Sequence, residues 1–159
     1  MKRTVGPRAG WSAVVIGELQ FCLSIGAASR LVSEAMDRIA GDHGLLVGPA
    51  SVLVAVAANP GKTQVSYSSA LVINDATLTR YIDRLEAADL LERRRGREDR
   101  RVVLLHLTEV GATKAAALSR GFAKLEKGFR DSLGSTGFEH LEAELHQLAL
   151  SLAKRGTDA

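Results

Sequence analysis

The chain has 159 residues, of which 46% are hydrophobic and 25% are charged, a balance typical of a soluble globular protein. Its length fits one compact domain, or one domain with additional helices for oligomerisation. The most apolar window, residues 45–58, contains Gly48, Pro49 and Ser51 and is shorter than the roughly 20 residues that span a bilayer. No membrane segment is therefore predicted.

The cysteine content and the amino terminus bear on the cellular compartment. Cys22 is the only cysteine, so an intramolecular disulfide is excluded and a reducing compartment is favoured. The apolar run 12–17 behind the basic start is short and is interrupted by Glu18, which makes a poor signal peptide. The sequence therefore predicts a cytoplasmic protein.

The net charge of +3 is modest, but eight of the fifteen arginines lie between Arg80 and Arg101. Such a cluster favours a surface that binds a polyanion. Glu92, Glu98 and Asp99 lie in the same stretch. A solvated charged loop therefore explains the charge pattern equally well.

Helical patterns occupy the first half of the chain. Residues 1–10 have no apolar period and are interpreted as a loose tail, whereas apolar residues recur at helical spacing from Ser12 to Ala40. Pro49 fits the first position of a second helix, and the run 50–58 is apolar on all sides, which predicts burial. After the turn 59–61, a short helix is expected over 63–71 with Val65 and Leu71 directed inward.

The next helix is expected to begin at a cap formed by Asn74 or Asp75 and to end near residues 87–89. Its apolar face carries Leu78, Ile82 and Leu85. Strands are predicted over 90–95 and 101–107, with 96–99 as the tip of the hairpin. Thr108 is the expected cap of a long helix, 134–137 are expected to form a break, and the last helix, 138–152, carries apolar residues three and four apart, as in a coiled coil.

A short helix, a three-residue turn, a helix with a polar face rich in hydroxyl groups and arginine, and a basic hairpin thus follow one another. Duplex DNA accounts for each part. The major groove admits a helix whose polar side chains reach base edges, and arginine satisfies the phosphates at its rims. A hairpin tipped with arginine fits the neighbouring minor groove, where the potential is most negative.

Three stretches of this region resemble the MarR family of transcription regulators: 78–94, then Glu98-Asp99-Arg100-Arg101, then Leu107-Thr108-Glu109-Val110-Gly111. The resemblance implies a mainly α fold, in which a winged helix-turn-helix with a two-stranded β-wing is flanked by N- and C-terminal dimerisation helices. Residues 1–40 would form the tail and first dimerisation helix, 45–108 the DNA-binding domain, and 109–159 the helices that complete the dimerisation region. The family often has glycine where this chain has Val72 and Asp89.

The implied function is that of a regulator, expected to be a repressor, that binds duplex DNA as a homodimer on a pseudo-palindromic operator and is released by a small molecule, such as a small aromatic ligand, or another signal. No cofactor is implied. The residues expected at the major groove are Asn74, Asp75, Thr77, Thr79, Arg80 and Arg84. The residues expected in the wing are Arg95, Arg97, Asp99, Arg100 and Arg101, with Asp99 orienting Arg101 in the minor groove.

Cys22 offers an alternative within the family. Residues 20–23 and 27–30 are similar to the first helix of its organic-hydroperoxide-sensing branch, in which oxidation of a cysteine thiolate releases DNA. That branch surrounds its cysteine with tyrosines, whereas the tyrosines of this chain, Tyr67 and Tyr81, both lie in the DNA-binding part. We therefore favour Cys22 as a small buried hydrophobic residue.

Other classes of function find less support in the sequence. The four histidines lack the spacing of a metal site, and no nucleophile–base pair or phosphate loop is visible, so neither a metal site nor an enzyme is predicted. An architectural protein that binds DNA without sequence preference shares the basic wing and stays open. Leu45, Leu46 and Leu53 are interpreted as core residues rather than as the lining of a ligand site.

Overall fold

The computed structural model describes residues 19–96 and 98–156, and it describes side chains as far as residue 153. The tail and the first residues of the predicted amino-terminal helix lie outside these ranges. Within them the elements are α1 Gln20–Gly41, α2 Val47–Ala58, α3 Gln64–Leu71, α4 Asp75–Ala87, β1 Leu91–Arg95, β2 Val103–Leu107, α5 Glu109–Leu133 and α6 Ser135–Gly156. The predicted mainly α fold with a two-stranded wing is confirmed. The chain divides into two compact units after Glu34, within α1, and the core lies in the second unit.

The core is built around α2, as its apolar sequence predicts. Ala50, Val52, Leu53 and Val56 are completely buried, and α2 packs against α3, α4, α5 and β2. Each fully buried valine or leucine side chain stabilises the fold by about 1.5–3 kcal/mol relative to exposure. Pro49 is the third residue of α2 rather than the first, and it is tolerated there because the first turn has no intrahelical N–H bonds to lose.

Two residues expected in the core are exposed. Leu46, which is 62% exposed, is the N-cap of α2 and lies in extended backbone outside the first turn. Val65, which is 63% exposed, lies on the outer side of α3 because that helix buries Tyr67 and Ser68 instead.

Side-chain caps begin three of the helices. The Thr63 hydroxyl accepts from the N–H of Ser66 at the start of α3, and the Asn74 Oδ1 accepts from the N–H of Thr77 at 2.8 Å at the start of α4. Asn74, rather than Asp75, is therefore the cap of α4. The predicted cap Thr108 opens α5, where its Oγ1 accepts from Gly111 N–H at 2.9 Å and donates to the main-chain oxygen of Asp89 at 2.7 Å.

The wing is an antiparallel pair in which Leu91 lies opposite Leu107 and Arg95 opposite Val103. A short segment before α3 extends it: Thr63 forms a bridge with Leu104. The second strand begins at Val103 rather than at residue 101, because residues 99–102 form a turn in which Val102 N–H donates to the main-chain oxygen of Asp99.

The predicted break at 134–137 is wrong. Gly134 alone, with a φ of 74°, separates α5 from α6, and α6 already begins at Ser135. The corner is held by Arg130, whose guanidinium carbon lies 4.2 Å from the ring centroid of the buried Phe138. Beyond Phe138, Leu141, Leu145 and Leu152 of α6 are exposed. None of the helices in the described part of the chain is long and apolar enough to cross a membrane.

Candidate nucleic-acid interface

The helix pair α3–α4 is joined by a turn and braced by one side chain. The Gln64 amide donates to the Thr79 hydroxyl at 2.6 Å, and that hydroxyl lies 2.8 Å from the main-chain oxygen of Asp75. The turn contains Val72, whose φ of 53° and ψ of 45° place it in the left-handed region. Thr79, one of the expected major-groove residues, is thus half-buried with its hydroxyl engaged within the helix pair.

The outward face of α4 is polar. Asn74, Asp75, Arg80 and Arg84 are exposed, and Thr77 is half-buried. An Nη2 of Arg80 lies 3.3 Å from the Thr77 hydroxyl, so these two side chains form one hydrogen-bonding group on the surface. The Asn74 oxygen is used by the cap, which leaves its amide N–H groups available.

The tip of the wing is a tight turn centred on Asp99. Its Oδ1 accepts from the main-chain N–H of Arg101 at 2.8 Å, so Asp99 orders the backbone that carries Arg101. A β-carbon at Gly96 would lie 2.8 Å from the main-chain oxygen of Asp99, which explains the glycine. Arg97 lies outside the described residues.

The eight clustered arginines do not form one group. Among the described residues, Arg84, Arg95, Arg100 and Arg101 form no ion pair with a carboxylate. Arg94 pairs with Glu92 of the same strand, and this hydrogen bond holds the pKa of Glu92 below its ordinary value, against a smaller opposing effect of desolvation. Within the described part of this cluster, the arginines without an ion pair thus lie on α4 (Arg80 and Arg84), at the end of β1 (Arg95) and in the wing turn (Arg100 and Arg101).

Two residues that the sequence interpretation did not single out organise this surface. Gln64 joins α3 to α4, and Arg93 of β1 pairs with Asp83 and Glu86 of α4. Their spacing along the chain gives no local signal, because each contact depends on how two separate elements pack.

The remaining predicted site is Cys22. Within the single chain its side chain is exposed on α1, so the expected burial is not provided by the chain's own residues. The apolar pattern of α1 predicts burial only where another surface covers it, and the neighbouring Phe21 and Leu23 are exposed as well. Among the described residues no group of three His, Cys, Asp or Glu side chains could hold a metal ion.

Residues 50–103, from α2 to the start of β2, match the sequence model of the MarR family. Over this region the chain is similar to the MarR family. Among solved structures, the transcriptional repressor CouR bound to a 23-mer DNA duplex is 27% identical, with a TM-score of 0.71 and coverage of 86% of this chain and 98% of CouR. The DNA complex of MepR from S. aureus is 21% identical with a TM-score of 0.73, covering 85% of this chain and 99% of MepR.

SlyA, a transcriptional regulator, is 19% identical with a TM-score of 0.72, and the match covers 86% of this chain and 96% of SlyA. No curated protein matches the sequence significantly. The match to the MarR family model and the similarity to DNA-bound CouR support a DNA-binding transcription regulator.

Proposed function

We propose that this regulator acts as a homodimeric, cytoplasmic repressor that recognises a pseudo-palindromic operator and leaves it in response to a signal, for which a small aromatic ligand is one candidate. The observation that carries the proposal is the polar group formed by Thr77 and Arg80 on α4, together with a wing whose Arg100 and Arg101 are free of carboxylates. The similarity to CouR, a repressor bound to duplex DNA, supports it.

The two parts of this surface are assigned different roles. Side chains on α4, above all Asn74, Thr77 and Arg80, read base edges in the major groove, where hydrogen-bonding patterns distinguish all base pairs. Asp75, Thr79 and Arg84 complete this face, with Thr79 acting through its brace to Gln64. Arg95, Arg97, Arg100 and Arg101 supply charge to phosphates and the minor groove, with Asp99 ordering the turn.

The proposal is tested by selecting duplexes from a randomised library with the purified protein. The most enriched duplex is then footprinted. A dyad with half-site centres about one helical turn, or 10–10.5 base pairs, apart is expected. Selection of no preferred sequence would instead indicate an architectural DNA-binding protein. A protected region without a dyad would contradict the dimer.

Variants separate the assigned roles. Arg100→Ala with Arg101→Ala should weaken binding to selected and random duplexes alike, and should reduce the slope of log affinity against log salt by roughly 0.9 for each phosphate that is no longer neutralised. Thr77→Ala should reduce the difference in binding affinity between selected and random DNA. Arg120→Ala on α5 is the matched control for loss of an exposed arginine. Full affinity in the double wing variant would contradict the wing assignment.

A thiol-based sensor of organic hydroperoxide is the second candidate, and the exposure of Cys22 is the observation that favours it. Exposure gives a peroxide access to the sulfur. The groups that would activate the thiol do not lie beside it on α1, where Leu19, Ile25 and Gly26 are the described residues one turn away.

A further inference from the structure

We propose that Arg93 is a positioning residue that holds the wing at a fixed angle to the recognition helix α4, so that both parts engage one DNA duplex together. The inference rests on the proposed DNA-binding surface, and it assigns to Arg93 a role different from that of the other clustered arginines. In this role Arg93 contacts protein carboxylates and no phosphate.

Three hydrogen bonds join Arg93 to α4. Its main-chain N–H donates to Glu86 Oε1 at 3.0 Å, its guanidinium pairs with the other oxygen of Glu86, and its Nη2 lies 2.8 Å from Asp83 Oδ1. Asp83 and Glu86 are separated by about one turn of α4. A single side chain of the wing therefore spans a turn of the recognition helix.

The position of Arg93 in the strand explains why it, and not its neighbour, makes this contact. Side chains alternate between the two faces of a strand, so Arg93 shares the face of Leu91, which is buried. The Arg93 side chain is 32% exposed, whereas that of Arg94, on the other face, is 57% exposed and pairs with Glu92 within β1. Arg94 therefore does not connect β1 to another element.

The chain between α4 and β1 is short and contains Asp89 with a positive φ of 54°. Its main-chain bonds fix the turn itself, because Leu90 N–H donates to Leu85 O and Asp89 N–H to Glu86 O. Farther out, Arg93 is the described residue of β1 that ties the hairpin to α4 by ion pairs. The opposite strand is held separately, because the buried Leu105, which pairs with Arg93, exchanges main-chain hydrogen bonds with Gly61 and Lys62. Arg93 therefore adds the contact that fixes β1 relative to α4 itself.

Electrostatic attraction also favours the contact between Arg93 and α4. Asp83 and Glu86 place two carboxylates on the helix that faces a polyanion, and Arg93 neutralises part of that charge. The guanidinium fork can bond two acceptors in a defined geometry, which the compact ammonium of lysine does not reproduce. Exposed ion pairs contribute little to the free energy of unfolding. The consequence of losing Arg93 is therefore expected in DNA binding.

Holding two linked binding elements in register raises the effective concentration of the second once the first is bound. Without the clamp, the wing should contribute less to affinity even though its arginines are intact. The loss caused by Arg101→Ala is therefore expected to shrink from about tenfold in the native protein to about twofold in an Arg93→Ala background. A role limited to stability would leave the effect of Arg101→Ala the same in both backgrounds.

Affinities are measured on the duplex selected from the randomised library. Glu86→Gln and Arg93→Lys should reduce the effect of Arg101→Ala in the same way, because each breaks the two-carboxylate contact. Arg94→Ala is the matched control, and in its background the effect of Arg101→Ala should be the same as in the native protein. If Arg93 instead contacted phosphate, Arg93→Lys would retain the affinity for the selected duplex. The affinity losses caused by Arg93→Ala and by Glu86→Gln would then also be independent of each other. Either result would overturn the proposal. Should Arg93→Ala fail to fold, Arg93→Lys and Glu86→Gln carry the test.

A measurement without DNA separates this inference from the proposed function. Spin labels at the exposed Ala87 of α4 and Glu98 of the wing tip, in a Cys22→Ser background diluted with unlabelled protein, report the distance between the two elements. Arg93→Ala should broaden the distance distribution, and Arg94→Ala should not. An unchanged width would refute the positioning role even if the protein bound its operator, and a broadened width would support it even if no duplex were bound.

Discussion

The α-carbon of Gly111 lies against the main-chain carbonyl of Leu90, so closely that a β-carbon on Gly111 would be 1.8 Å from that oxygen. Gly111 is in the first turn of α5, and Leu90 immediately precedes the wing strand β1. Thr108 N–H also donates to the same oxygen at 3.3 Å. The start of α5 is therefore docked on the base of the wing, and only glycine permits this approach.

Gly111→Ala is expected to destabilise the fold by about 3 kcal/mol or more, because the added methyl group forces backbone apart rather than a flexible side chain. Denaturant unfolding followed by circular dichroism measures the change. Gly128→Ala, in the same helix but with nothing within 4 Å of the new carbon, is the matched control and should stabilise by up to about 1 kcal/mol. Equal stability of Gly111→Ala and the native protein would contradict the close contact.

Asp89 is the second residue of this junction with an unusual backbone. Its φ is 54°, and its side chain is exposed. Left-handed backbone costs a residue with a β-carbon about 1–2 kcal/mol. Glycine avoids this cost, but its larger entropy loss on folding offsets part of the benefit. Asp89→Gly should therefore raise the free energy of unfolding by about 0.5 kcal/mol, while Asp89→Ala should lower it. The opposite order of the two variants in thermal unfolding would count against the assigned backbone.

The burial of Tyr67 makes stability depend on pH in the alkaline range. Burial raises the pKa of its phenol above the ordinary 10.0, opposed in part by a hydrogen bond from Lys62 N–H, and its hydroxyl donates to Asn59 O at 2.5 Å. A raised pKa means that the folded state favours the neutral phenol. This contribution to stability is complete below the unfolded value and is lost as the pH rises through the folded value.

Tyr67→Phe is accordingly expected to cost about 1 kcal/mol at neutral pH, because Asn59 loses its hydrogen bond. Above pH 10 the stability of the variant should fall less steeply than that of the native protein. Urea unfolding at a series of pH values measures both effects. Parallel curves for the two proteins above pH 10 would show that Tyr67 does not titrate as proposed.

The proposed dimer is tested on α6, where Leu141 and Leu145 are each 44% exposed in the single chain. Leu141→Glu with Leu145→Glu should leave the fold of one chain intact but yield monomers, because a dimer would have to bury the new charges. Light scattering after gel filtration gives the mass. Ala143→Glu with Gln147→Glu, on the opposite side of the same helix, is the control. A double Leu variant that stays dimeric would place the interface elsewhere.

Features that depend on a single turn of chain could be predicted from the sequence. The buried face of α4, with Leu78, Ile82 and Leu85, followed from spacing alone, and so did the cap at Thr108. Both depend on residues three or four apart, which a helix brings together whatever surrounds it.

Features that depend on how separate elements pack together could not be predicted from the sequence. Asp83 and Glu86 are ten and seven residues from Arg93, and no periodicity predicts that the three converge. Val65 was expected in the core because it is apolar, but the capped start of α3 turns Tyr67 inward instead. The exposure of Cys22 has a similar origin, because an apolar stripe indicates that a surface is suited to burial and does not say what covers it.

The final prediction is that Cys22 is not a peroxide switch. A thiol reacts with a peroxide as its thiolate, which requires a cation or hydrogen-bond donors close to the sulfur. Both tyrosines are engaged elsewhere, since Tyr67 bonds to Asn59 and Tyr81 packs where a β-carbon of Gly48 would lie 2.4 Å from its ring. Exposure of Cys22 supplies access without activation.

The native protein and Cys22→Ser should therefore keep the same operator affinity in a gel shift with stoichiometric organic hydroperoxide. Mass spectrometry of the native protein should show an unmodified thiol on the timescale of minutes. Dithiothreitol added after the peroxide is the control for reversible oxidation. Release of the operator by the native protein within minutes, restored by dithiothreitol and absent in Cys22→Ser, would contradict the prediction. In that case the activating groups would have to come from a second copy of the chain, whose surface would then lie against the exposed face of α1.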